Sequence, residues 1–150
     1  MKSTATLVAS AALLLATAAS AQNFQKTEDA IKYRQGAFRV LSAHFGVLGA
    51  MANGRAPYDA RQAAYSADVI QLVSHLPFTG FVAGSDKGET RAKPEIWAEQ
   101  AKFRAAAEKM QGEVAKVAAA ARTGSVDNLK AAFGPAGQSC KACHDQFRKD

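Results

Sequence analysis

Apolar side chains that return at every seventh position restrict this chain's fold more than any other feature. Ile31, Phe38, Phe45 and Ala52 repeat in this way, with Arg34, Leu41 and Leu48 in the companion positions. Ile96, Phe103, Met110 and Val117 do the same, as do Ala107, Val114 and Ala121. That spacing lines up one face of a helix and scatters over both faces of a strand. Breakers are few, with 4 Pro and 11 Gly in 150 residues, so long helices are not interrupted.

Four helices are predicted. The first runs from Glu28 to Met51 and ends before Gly54 and Pro57. The second begins at Tyr58 or Asp59, with Asp59 placed to cap it, and stops at His75 before Pro77. The third starts at Pro94, a favoured first-turn residue, and breaks at Thr123-Gly124-Ser125. The fourth spans Val126 to Phe147, where Gly134-Pro135 should kink or split it. Leu129, Phe133, Cys140, His144 and Phe147 form its inner stripe. Residues 77–93 form a long irregular connection, a kind of segment that often carries function. The fold class is all-α, an antiparallel up-down-up-down four-helix bundle. The first helix has a second apolar stripe, Tyr33, Ala37, Val40, Val47 and Met51. Burying both stripes predicts a homodimer paired through this helix.

The bundle accounts for residues 22–150. Residues 1–21 read as a cleaved secretory signal peptide: Lys2, an apolar stretch from Leu7 to Ala18, then Ala19-Ser20-Ala21. The apolar run is too short for a good membrane span. An exported, soluble, periplasmic protein is expected, with no membrane partner. The formal charge of +6 falls by one when Lys2 is lost. Basic residues mix with acidic ones and do not alternate with aromatics, which argues against nucleic-acid binding. A mildly basic surface could still assist docking to an acidic partner.

Chemistry concentrates at Cys140-Lys141-Ala142-Cys143-His144. C-x-x-C-H is the attachment pattern of c-type haem. Two thiols add across the porphyrin's two vinyl groups, and the adjacent imidazole binds iron. On a helix the three side chains fall within an arc of roughly 100°, so all can face one planar group. A redox C-x-x-C would want a βαβ setting. A zinc site would need about four ligands, with only His44 and His75 as further histidines. A disulfide over so short a loop would add little stability. The cofactor call is one covalent haem c, held by Cys140 and Cys143, with His144 as axial iron ligand. Only six residues follow His144 and none is Met, so any sixth ligand must come from upstream.

The bundle, the leader and the C-terminal Cys-Lys-Ala-Cys-His-Asp-x-Phe-Arg run together resemble the cytochrome c′ family, the class II c-type cytochromes. Residues 28–35, 94–97 and 131–134 extend the likeness along the whole mature chain. The resemblance implies a periplasmic, usually dimeric haem protein with five-coordinate high-spin iron. Such proteins bind nitric oxide and carbon monoxide, and have been assigned electron transfer or nitric oxide handling. It places Arg34 and Gln35 against a propionate, and Glu89 and Thr90 near the haem edge. Phe38 would roof the distal face, where it cannot ligate. Arg148, four residues beyond His144, would stand beside the proximal imidazole.

Each role has a plainer alternative. Arg34, odd in an inner seam, could snorkel to the bundle rim. Arg148 could be a solvated helix-end cation. Phe38, and the pocket-wall candidates Phe78, Phe81 and Phe133, could be ordinary core. The function expected is therefore gas binding, electron transfer with a redox partner protein, or both. The competing reading is a low-spin electron carrier with no gas-binding role. Peroxidase-like catalysis is disfavoured, because no distal His or Arg is visible to help break an O–O bond.

Overall fold

The computed structural model describes residues 24–150; the leader assigned to residues 1–21 lies outside the described residues. Five α-helices follow in order: α1 Thr27–Ala52, α2 Ala60–Val73, α3 Glu95–Ala98, α4 Gln100–Arg122 and α5 Val126–Phe147. A 3₁₀ turn, Leu76–Gly80, follows α2. The four long helices form the predicted bundle. α1 packs on α2, α2 on α4 and α4 on α5, and α5 returns against α1.

Local chemistry sets the helix ends. Glu28 and Asp29 place negative charge in the first turn of α1, against the positive end of its dipole. Asp59 caps α2 by accepting from the Gln62 N–H at 2.9 Å. Ser125 caps α5 through Asn128 N–H in the same way. Between α4 and α5 the chain reverses through Gly124 at φ +71°, a conformation that costs glycine little.

The heptad seams face inward. Ile31, Leu41, Leu48 and Ala52 are buried on α1, and Met110, Val114, Val117 and Ala121 on α4. All but Ile31 close around Ile70 and Leu129 in one continuous core. Phe133 reaches α1 only because Gly49 lacks a side chain; a Cβ there would meet the ring at 2.7 Å.

Three expectations change. The third helix does not run unbroken from Pro94. Glu99 leaves helical geometry at φ −119°, ψ 47°, separating the short α3 from α4. α3 is pinned independently, by buried Ile96 and by Trp97 Nε1–H donating to Val82 O at 3.0 Å. Pro135 does not split α5, which continues through it. The carbonyl it leaves without a helical donor is that of Ala131, on the exposed face where water can serve it. Met51 is not on the outer stripe. It lies three residues past Leu48 on the same face, 4% exposed in the core.

Candidate haem site

α5 carries Cys140 and Cys143, both half-buried. Cys140 packs on the main core, as do Phe38 and Phe78. Cys143 packs on a second cluster, built from Ala92, Ile96 and Phe147 with Phe81, Trp97 and Phe103 around them. Burial raises the pKa of each thiol, and charge on Cys140 raises Cys143 further. His144 follows on the outer edge of the inner stripe and is exposed, while Phe147, the last residue of the stripe, is buried. Partial desolvation lowers its pKa; the nearby charges of Arg148 and Arg91 lower it too, while Asp145 opposes them.

A set of aromatic rings joins the two clusters. Phe38 meets Phe78 edge-on at 6.0 Å and Phe81 at 6.4 Å. Phe81 in turn meets Phe103 at 4.9 Å and Trp97 at 6.1 Å. A cleft of about 350 Å³ opens along their α4 side, between Phe78, Phe81, Trp97 and Phe103. Phe133 stacks on Phe45 at 4.3 Å, against Gly49, and packs on the same core cluster as Phe38, Phe78 and Cys140.

Arg34 is 2% exposed, as its seam position predicts, and does not snorkel. Its guanidinium enters the connection between the 3₁₀ turn and α3. Nη1 donates to Gly80 O at 2.9 Å and Ser85 Oγ at 2.7 Å. Nη2 donates to Ser85 O and Thr90 Oγ1, both at 2.7 Å. It also lies 4.4 Å from the centroid of the Phe81 ring. Gln35 Nε2 donates to Glu89 O at 2.8 Å, and the Glu89 side chain is exposed. Arg34 and Gln35, assigned by the resemblance to a propionate, thus contact Thr90 and Glu89, assigned to the haem edge. Their mutual contacts organise the connection.

Arg148 is not on the helical face of His144. α5 ends at Phe147, and Arg148 is extended at φ −121°, ψ 133°. Ala92 forms an antiparallel bridge with it, so its backbone is set by a distant segment. Sequence reasoning missed Ser85, Arg91, Trp97 and this bridge. The single Trp was the one compositional hint; a serine or an arginine in a loop carries none.

These residues fit a haem. Two cysteines stand at the junction of two apolar clusters, an imidazole adjoins them, and a wall of rings suits a flat apolar macrocycle. Arg34 adds a buried cation whose four hydrogen-bond partners are all uncharged oxygens, a setting that favours a nearby anion.

The family model for Cytochrome C′ matches residues 29–148. The chain belongs to the cytochrome c′ family. It is 48% identical over 127 residues to cytochrome c′ of Rubrivivax gelatinosus, a match covering 84% of this chain and 98% of that protein. The crystal structure of the Rubrivivax protein superposes with a TM-score of 0.82 over 85% of this chain and all of that one. Cytochrome c′ of Alcaligenes xylosoxydans is 44% identical over 126 residues, covering 84% and 98%. A nitric oxide complex of a leucine-to-alanine variant of the Alcaligenes protein superposes with a TM-score of 0.80, at 44% identity over 85% of this chain and 99% of that one. As a cytochrome c′ the chain carries covalently bound haem c, and it has only two cysteines to attach it. Among the described residues no helix is long and apolar enough to cross a membrane.

Proposed function

We propose that this is an exported, periplasmic cytochrome c′ with five-coordinate high-spin iron, which binds nitric oxide and carbon monoxide and exchanges electrons. Cys140 and Cys143 are its thioether anchors and His144 its axial ligand. Haem, when bound, supplies an iron centre that takes one electron and a diatomic ligand. The chain's part is to exclude a sixth protein ligand and keep the pocket apolar.

One observation carries the reading: the ring set that joins the clusters of Cys140 and Cys143 offers no lone pair suited to iron. It consists of Phe38, Phe78, Phe81, Trp97 and Phe103. Met110 packs in the main core from α4, and the other candidate ligands are placed elsewhere. His44 faces Ser66 Oγ at 3.3 Å, Met51 accepts from Asp59 N–H at 3.4 Å, and His75 lies at the start of the 3₁₀ turn. Phe38 then serves as the distal roof, Phe78 and Phe81 as wall, and Arg148 as the cation beside the imidazole. The nitric oxide complex of the Alcaligenes relative supports that ligand here. Arg34 offers a propionate its charge; its four terminal N–H groups already serve the connection.

The homodimer is proposed through the α1–α2 face. Val40 of α1 is 44% exposed, and Tyr65 and Leu72 of α2 are 60% and 74% exposed, with Leu76 beyond them. The outer surface is thus richer on the second helix than the first-helix stripe implies.

Absorption spectra of the exported protein, oxidised and then reduced, test the coordination. Broad high-spin bands are expected in both states, with the N-terminus at Gln22 by mass spectrometry. A narrow, split low-spin spectrum at neutral pH would overturn five-coordination. His144→Ala should abolish the native spectrum while the haem stays attached.

A further inference from the structure

A short antiparallel strap ties the end of α5 to the connection before α3. Lys93 N–H donates to Phe147 O at 3.0 Å, and Lys149 N–H to Arg91 O at 2.8 Å, with Ala92 opposite Arg148. Two side chains reinforce it. Arg91 Nε donates to Lys149 O at 3.0 Å and Lys93 Nζ to Asp145 O at 2.9 Å. Ala92 is buried, so alternation along the strand turns Arg91 and Lys93 outward. Arg91 and Arg148 both lie near His144, Lys93 Nζ reaches the carbonyl of the next residue, Asp145, and Lys149 is tied to Arg91, so four cations from segments more than fifty residues apart gather at this end of the molecule. Lys141 adds a fifth, paired with Asp145. Asp150 and the C-terminal carboxylate are the remaining anions of this end, with Glu89 and Glu95 bounding the strand in sequence.

We propose that this basic face, Arg91, Lys93, Arg148 and Lys149 around His144, is the docking surface for an acidic, soluble redox protein. The proposal rests on the haem assignment above and names where electrons enter and leave. Three observations favour it. The strap's hydrogen bonds from Arg91 and Lys93 go to carbonyls, which leave their charges uncompensated. A focused patch of one sign steers an oppositely charged partner and falls in effect with salt. The large exposed apolar side chains Val40, Tyr65, Leu72 and Leu76 belong to α1, α2 and the 3₁₀ turn, not to this face. A basic surface without apolar anchors suits a reversible protein encounter better than insertion at a lipid surface.

The test uses the haem-loaded, reduced protein and two small oxidants, ferricyanide and the cation tris(phenanthroline)cobalt(III). The double variant Lys93→Glu/Lys149→Glu is compared with Lys109→Glu/Lys130→Glu, which makes the same charge change on other surfaces. Reduction potentials are measured for each, so that driving force is held apart from steering. The first pair should slow ferricyanide by about tenfold or more and speed the cobalt complex, both effects fading as salt rises. It should slow oxidation by an acidic cupredoxin in parallel. The second pair should change each rate by less than about threefold. Equal effects from both pairs would reduce the patch to net charge and overturn the docking face. So would a first pair that loses binding to phosphatidylglycerol vesicles while its oxidation rates stay unchanged, which would make the face a membrane contact. If neither oxidant reacts at any charge, the electron-transfer reading falls, and the docking face with it.

Discussion

Phenylalanine at position 38 has no lone pair to offer iron, and its rigid ring turns only about two bonds. The ring is already wedged edge-on against Phe78 and near Phe81. As the proposed distal roof it must move, or α1 must move, before a diatomic ligand can occupy that face. Displacing a packed side chain costs on the order of 1–3 kcal/mol, by analogy with overpacking a core. Phe38→Ala should therefore raise carbon monoxide affinity by about 10–100-fold. Carbon monoxide titration of the reduced proteins checks this. Equal affinities, in a variant shown to stay folded and five-coordinate, would remove Phe38 from the distal role. At this scale the motif residues were readable in advance, because a covalent attachment pattern spans five consecutive positions. The partners of Arg34 were not, since Ser85 and Thr90 lie about fifty residues away from it.

The connection between the 3₁₀ turn and α3 is the element whose shape depends most on a single side chain. Arg34 binds it at Gly80, Ser85 and Thr90. Gly80 allows the approach: a Cβ there would meet Ala30 O at 2.7 Å. The planar fork of a guanidinium can serve these oxygens in several directions, whereas lysine brings one ammonium on a flexible stem. Arg34→Lys should therefore fail to rescue. It should lower stability by about 3 kcal/mol, the scale for breaking a buried charged network. Denaturant unfolding measures the loss, and hydrogen exchange should quicken across residues 81–93. A variant that unfolds at the same midpoint, with unchanged exchange there, would mean the connection is held by its aromatic packing instead.

For the whole molecule, the surface that bears on assembly is the outer face of α1 and α2. Tyr65, Leu72 and Leu76 recur at helical spacing on the outward side, with Val40 from α1. A two-fold pairing would bury these side chains against their own copies. Leu72→Glu puts a charge at the most exposed of them. Sedimentation equilibrium at micromolar concentration should show a dimer for the parent and a monomer for the variant, with the same absorption spectrum. A parent that sediments as a monomer would end the dimer proposal.

What the sequence determined by itself is what depends on neighbours within a turn or two. The seven-residue repeats specified helices and their buried faces, Asp59 and Gly124 marked ends, and Cys140, Cys143 and His144 declared the cofactor. Even Arg34 was legible as a buried cation, because its place in the repeat is local. Tertiary structure decided whatever depends on groups far apart in the chain. α3 separates from α4 because Trp97 is tied to Val82. α5 passes through Pro135 because the fold leaves that side of the helix to solvent. Met51 is buried because the start of α2 returns over it. The strap that gathers Arg91, Lys93, Arg148 and Lys149 beside His144 exists only after the connection has folded back onto α5. Local periodicity encodes which face of a helix is apolar; it holds no record of which distant segment will supply the hydrogen-bond partner.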